Sequence, residues 1–127
     1  MYLTSVRTPC PTALVVDDDP IMRVLARHIL EREGFAVVTA NDGAEALTIW
    51  RSSRVDVVLS DINMPKLNGI ALREIITLQC PGAKVILMSS DKPPADVGCP
   101  FLPKPLSPAT LVEHIRALAD HQLSLTA

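Results

Sequence analysis

Apolar residues along this chain fall into five short runs separated by segments of helical period. Ala13 to Val16, Ala36 to Thr39, Val55 to Leu59, Lys84 to Met88 and Phe101 to Leu102 read as strands. The first four are β-branched and nearly unbroken, the pattern of a parallel sheet covered on both faces rather than of a sheet with one wet side. Between the runs lie helices with local start signals. Asp19-Pro20 and Ser107-Pro108 each supply an N-cap followed by proline in the first turn, and Asp42-Gly-Ala-Glu45 has the spacing of a capping box. Met22, Leu25 and Ile29 share one stripe of the first helix, and Leu111, Ile115 and Leu118 one stripe of the last, so both helices pack on the sheet. Strand and helix in alternation predict an α/β domain with a right-handed, doubly wound parallel sheet, whose ligands sit at the carboxyl ends of the strands.

That rim is where the acids are. Asp17 and Asp18 close the first apolar run and Asp61 closes the third. Three carboxylates held together are costly: at about 4 Å each like-charge pair costs roughly 4 kcal/mol at an effective dielectric near 20, and a hard divalent cation is the simplest relief. Ser89 follows the fourth run and Lys104 the fifth, so four strand ends converge on one crevice. A strand-terminal Asp alone is more often a helix N-cap, and a lone Lys a solvated cation. Their shared register is what carries the signal.

Length and composition narrow the reading further. The 127 residues make one domain with no space for a second. A net charge of -2 and few aromatics, none interleaved with Lys or Arg, give direct nucleic-acid binding little support and make a protein the expected partner. No apolar stretch is long enough to span a bilayer, and residues 1–7 lack the hydrophobic centre of a signal peptide, which places the chain in the cytoplasm with no membrane insertion. Cys10, Cys80 and Cys99 are odd in number and widely spaced, hence reduced bystanders. His28, His114 and His121 share no spacing and read as surface residues. Residues 1–12, with Pro9 and Pro11, read as a flexible N-terminal tail, 13–121 as the domain and 122–127 as a C-terminal tail.

Taken together, Leu14-Val-Val-Asp-Asp-Asp19, Asp61-Ile-Asn-Met-Pro-Lys-Leu-Asn-Gly69, Ser89 and Lys104-Pro105 resemble the receiver domain of two-component response regulators, over Ala13 to Asp120. The resemblance implies a flavodoxin-like sheet of order 2-1-3-4-5. It implies that Asp61 accepts a phosphoryl group from a histidine kinase or histidine phosphotransfer protein. Mg²⁺ would be held by Asp17, Asp18, Asp61 and the backbone carbonyl of Asn63. Lys104 would neutralise the phosphoryl oxygens, aimed by a cis bond before Pro105. Ser89 and Phe101 would be the switch pair, although Phe101 has an equal claim as an ordinary core residue. Asn63 and Asp91, each two residues beyond a pocket residue, occupy the positions that tune self-dephosphorylation in similar domains. The chemistry agrees with ordinary principles: a carboxylate attacks phosphorus once charge on the transferring group is neutralised, and Mg²⁺ needs few protein oxygens.

One stretch departs from the pattern. Only eleven residues separate Ser89 from Phe101, and Pro93, Pro94, Gly98 and Pro100 among them leave room for a turn at most, so the fourth helix is expected to be shortened or absent. That puts the usual output face in doubt and hints at phosphoryl relay more than gene control, in a single-domain protein or a receiver cut from a hybrid kinase. The expected function is a phosphoacceptor switch that signals by protein contact, not a turnover enzyme. A phosphorylation-independent interaction module is the alternative. A phosphatase using Asp61 would need a cap that the length excludes, and no Gly-rich phosphate loop is present to take a nucleotide.

Overall fold

The computed structural model describes residues 10–91 and 100–126, with side chains through Leu118. Its elements run β1 (Thr12–Val16), α1 (Pro20–Arg32), β2 (Ala36–Ala40), α2 (Gly43–Ser52), β3 (Val57–Asp61), α3 (Gly69–Gln79), β4 (Lys84–Ser89), β5 (Phe101–Pro103) and α4 (Pro108–Thr126). The five strands form one parallel sheet in the order β2-β1-β3-β4-β5. Among the described residues there are four helices; the expected loss of a helix between β4 and β5 falls on residues 92–99, which lie outside the described ones.

The unbroken apolar runs are explained by burial on both faces. Along β1, Ala13 and Val15 face one side and Leu14 and Val16 the other, and all four are fully buried. The first pair joins Ile29 and Leu30 of α1 with Leu111 and Ile115 of α4, while Met22, Leu25 and Leu118 pack at the edge of that cluster. The second pair joins Ala46 of α2 with Leu72 and Ile76 of α3. The central strands are therefore covered on both sides, as their sequence predicts. Edge strand β2 is less so: only Ala40 is fully covered, and Ala36 is exposed.

Local chemistry fixes the helix starts. The Asp19 carboxylate accepts the Ile21 N–H at 2.9 Å ahead of Pro20, and the Asn68 side chain accepts the Ala71 N–H at 2.8 Å. The Asp42 side chain caps Glu45 N–H at 2.8 Å, but Glu45 returns its carboxylate to the N–H of Asn41 at 2.7 Å, one residue earlier than a capping box requires. At the end of α1, Gly34 takes φ 92°, and Phe35 N–H bonds back to Leu30 O at 3.1 Å.

Several boundaries differ from the expected ones. β3 begins at Val57 rather than Val55; at Asp56 the backbone N–H bonds to Thr12 O at 2.8 Å, but it is the Asp56 side chain that accepts the Thr12 N–H, at 2.7 Å. Residues 10–12 of the expected tail are held: Pro11 O accepts the Ala36 N–H at 2.8 Å, and Thr12 opens β1. The last helix continues to Thr126, past residue 121.

Candidate functional site

Parallel register brings the strand ends together. Val16 pairs with Ser60, so the next residues, Asp17 and Asp61, stand side by side at the carboxyl ends of β1 and β3. Ser89 is the last residue of β4 and pairs with Pro103, and its carbonyl accepts the Lys104 N–H at 2.9 Å. Asp17, Asp61 and Ser89 are buried, Lys104 is half-buried, and Asp18 faces solvent.

The three carboxylates form one cluster: one oxygen from each of Asp17, Asp18 and Asp61 lies within 4.8 Å of the other two. Lys104 Nζ sits between the buried pair, 2.8 Å from Asp17 Oδ2 and 3.3 Å from Asp61 Oδ2. One ammonium faces three anions, and the balance shows at Asp61 and at Lys104 itself. Burial, then repulsion from Asp17, pushes the Asp61 carboxyl above its ordinary value, with Lys104 and the Asn63 N–H opposing. Burial alone would lower the Lys104 ammonium, but its pairing with Asp17 and then Asp61 outweighs this and raises it.

Asp17 is held from every side. Its N–H bonds to Ala40 O at 3.2 Å, its Oδ1 accepts the Asp19 N–H at 2.9 Å, and its carbonyl accepts Arg23 Nη1 at 2.7 Å. Oδ2 has the ionic contact with Lys104 but no hydrogen bond of good geometry, and among the described residues it is the sole buried side-chain oxygen in that condition. This oxygen and its two neighbouring carboxylates are hard donors, the set that suits Mg²⁺. The fit is therefore good: a carboxylate trio that a single ammonium does not neutralise, and within it a buried Asp17 oxygen without a hydrogen bond.

Asn63 follows β3 on an exposed loop. Its N–H lies 3.4 Å from Asp61 Oδ1, and its side-chain amide reaches both Ser89 Oγ at 3.1 Å and Asp91 Oδ2 at 3.2 Å. The Asp91 N–H donates to the same Ser89 Oγ at 3.1 Å. Gly69 holds the other end of that loop: its N–H bonds to Ile62 O at 3.0 Å, and a Cβ at this position would collide with the Asp61 carbonyl oxygen. Close approach, not a positive φ, is what glycine provides here. Between them, Lys66 adopts φ 71° and pairs with Asp42 at 3.5 Å.

The peptide bond before Pro105 is cis. Phe101 is half-buried and packs on the α2 and α3 side of the sheet. Sequence reasoning missed Arg23. The available signal was its place one turn into a helix starting at Pro20, since helical side chains lean back toward the N-terminus and so toward the end of β1. Cys10 and Cys80 are free and exposed, and His28 is exposed. His114, expected at the surface, is half-buried, its Nδ1 donating to Thr110 O at 2.9 Å. Cys99, like the side chain of His121, lies outside the described residues.

A parallel α/β sheet with this acid trio, a lysine and a hydroxyl at its carboxyl rim defines a receiver of two-component signalling. The chain belongs to the response regulator receiver domain family, whose pattern it matches over residues 13–116. It is 39% identical over 114 residues to the transcriptional regulatory protein CpxR of Escherichia coli, a match covering 83% of this chain and 47% of CpxR. The chain spans about half the length or less of the first curated relatives it matches. Among solved structures, a CheY-like receiver domain protein of Methanospirillum hungatei superposes with TM-score 0.85 at 28% identity, covering 91% of this chain and 98% of the other. The response regulator TrrA of Thermotoga maritima, in complex with Mg²⁺-BeF, gives TM-score 0.79 at 30% identity, over 85% and 98%. The domain is accordingly a signalling switch of the CheY-like kind. Among the described residues no helix is long and apolar enough to cross a membrane.

Proposed function

We propose that this domain accepts a phosphoryl group on Asp61 from a phosphohistidine of a histidine kinase or histidine phosphotransfer protein, and passes the signal on by protein contact. The observation that carries the reading is the buried Asp61 carboxylate, 3.3 Å from Lys104 Nζ and clustered with Asp17 and Asp18. An Asp61 oxygen forms the new bond to phosphorus while the phosphorus–nitrogen bond breaks, and the electron pair returns to the imidazole of the donor. Lys104 places positive charge where the phosphoryl oxygens arrive, on a side chain already held by Asp17. Ser89 offers a hydroxyl to the same oxygens, and Phe101 is the aromatic whose packing would follow the movement of the loop after β4. Asp17, Asp18, Asp61 and the Asn63 carbonyl would hold Mg²⁺, which when bound neutralises charge on the transferring group.

The receiver unit, expected from the sequence over 13–121, takes in Thr12 through β1 and runs on through α4 to Thr126; it would act in the cytoplasm, where a protein target rather than nucleic acid reads its state. Transfer from a radiolabelled phosphohistidine protein tests it. Label is expected on the wild-type chain in the presence of Mg²⁺ and is expected to be absent from Asp61→Asn. Labelling of both, or of neither, contradicts the assignment.

A further inference from the structure

Ser89 has one hydrogen to donate and two lone pairs to accept with. Both acceptor positions are filled in this structure, by Asn63 Nδ2 at 3.1 Å and by the Asp91 N–H at 3.1 Å. The Asn63 amide could in principle face Ser89 with either its NH₂ or its oxygen. Asp91 decides the matter: its carboxylate accepts the same NH₂ at 3.2 Å, and an amide turned the other way would set its oxygen against that carboxylate.

From this chain of polarity we infer that Asp91 and Asn63 are positioning residues that fix the direction of the Ser89 hydroxyl. Asp91 orients the Asn63 amide, the amide and the Asp91 N–H occupy Ser89 as an acceptor, and the hydroxyl proton is left free for an acceptor arriving at Asp61. A phosphoryl group has acceptor oxygens only, so it needs that proton. This rests on the proposed phosphoryl chemistry and adds to it how the hydroxyl is made ready.

The variant Asp91→Asn separates this from plain electrostatics. It keeps the shape and the backbone N–H but lets residue 91 offer either an oxygen or an NH₂, so the Asn63 amide is no longer held one way round, and whenever it turns its oxygen captures the Ser89 proton. Charge alone predicts the reverse, because removing an anion beside the pocket strengthens anion binding. Asp91 is exposed, so the variant is not expected to disturb folding.

Beryllofluoride with Mg²⁺, a phosphoryl mimic, is titrated by amide NMR into four chains: wild type, Asp91→Asn, Ser89→Ala and the double variant. We expect Asp91→Asn to bind about twofold more weakly than wild type, the cost of an amide held the right way round about half the time, and to bind no more weakly than its parent once Ser89 is alanine. Equal or tighter binding by Asp91→Asn, or the same weakening without the hydroxyl, overturns the inference and leaves the phosphoryl reading standing. Failure of the wild type to bind beryllofluoride overturns both.

Discussion

Replacing Asp61 by asparagine is expected to stabilise the metal-free domain while removing its phosphoacceptor. At an effective dielectric near 20, the 3.3 Å contact with Lys104 attracts the Asp61 carboxylate by about 5 kcal/mol. Asp17, with an oxygen within 4.8 Å, returns at least about 3.5 kcal/mol of that as repulsion. Asp18 adds a smaller amount because it is exposed, and burial of the Asp61 charge adds the rest of the penalty. The upward displacement of the Asp61 carboxyl shows that the unfavourable side wins.

We therefore expect Asp61→Asn to melt above the wild type, each kcal/mol gained being worth roughly 3–6 °C in Tm for a domain of this size. Because the folded carboxyl titrates above 3.8, the penalty is fully present above the folded value and fades as pH falls toward 3.8, so the advantage of the variant shrinks in acid. Thermal melts at neutral pH in chelator, repeated with Mg²⁺, are the assay. Mg²⁺ at ten times its Kd should return about 1.4 kcal/mol to the wild type and narrow the gap. A variant no more stable than wild type in chelator would refute the electrostatic account.

Lys104→Ala leaves the Asp17 carboxylate buried without its cation and is expected to cost about 3–5 kcal/mol by urea unfolding, partly recovered by Mg²⁺; unchanged stability counts against the pair. Lys104 titrates above 10.5 in the folded chain, so its contribution holds below 10.5 and is lost as pH rises through the folded value, which melts in strongly alkaline buffer check. Gly69→Ala forces the start of α3 away from the Asp61 carbonyl and should cost on the order of 1–3 kcal/mol by the same unfolding measurement. Asn63 and Asp91 variants should hold the phosphoryl group for measurably different times from wild type, read as decay of label; identical decay in both removes them from lifetime control.

Much of the fold was visible in the sequence because buried parallel strands are compositionally plain. Val15 and Val16 must both be apolar since opposite faces of β1 are covered, and such runs alternating with capped helices admit few arrangements. The site was visible for a related reason: Asp17, Asp61, Ser89 and Lys104 each follow an apolar run, and strand ends share a rim. Less visible were contacts that depend on the path of a side chain. Nothing in the spacing says that Glu45 bonds to Asn41 rather than Asp42, or that Arg23 reaches back to the Asp17 carbonyl. The Asn63–Ser89–Asp91 network joins two loops after different strands, and its polarity depends on which atom of an amide faces which neighbour. That information resides in three-dimensional placement alone.

The central claim, that Asp61 is a phosphoacceptor served by a divalent cation, is tested most directly by intact-mass spectrometry after incubation with Mg²⁺ and acetyl phosphate, beside Asp61→Asn and a chelator control. A gain of one phosphoryl group in the wild type that vanishes in both controls is the predicted result. No gain under any condition would contradict it and favour a binding module that works without phosphorylation, whereas a gain that survives the loss of Asp61 would contradict it by placing the phosphoryl group on another residue.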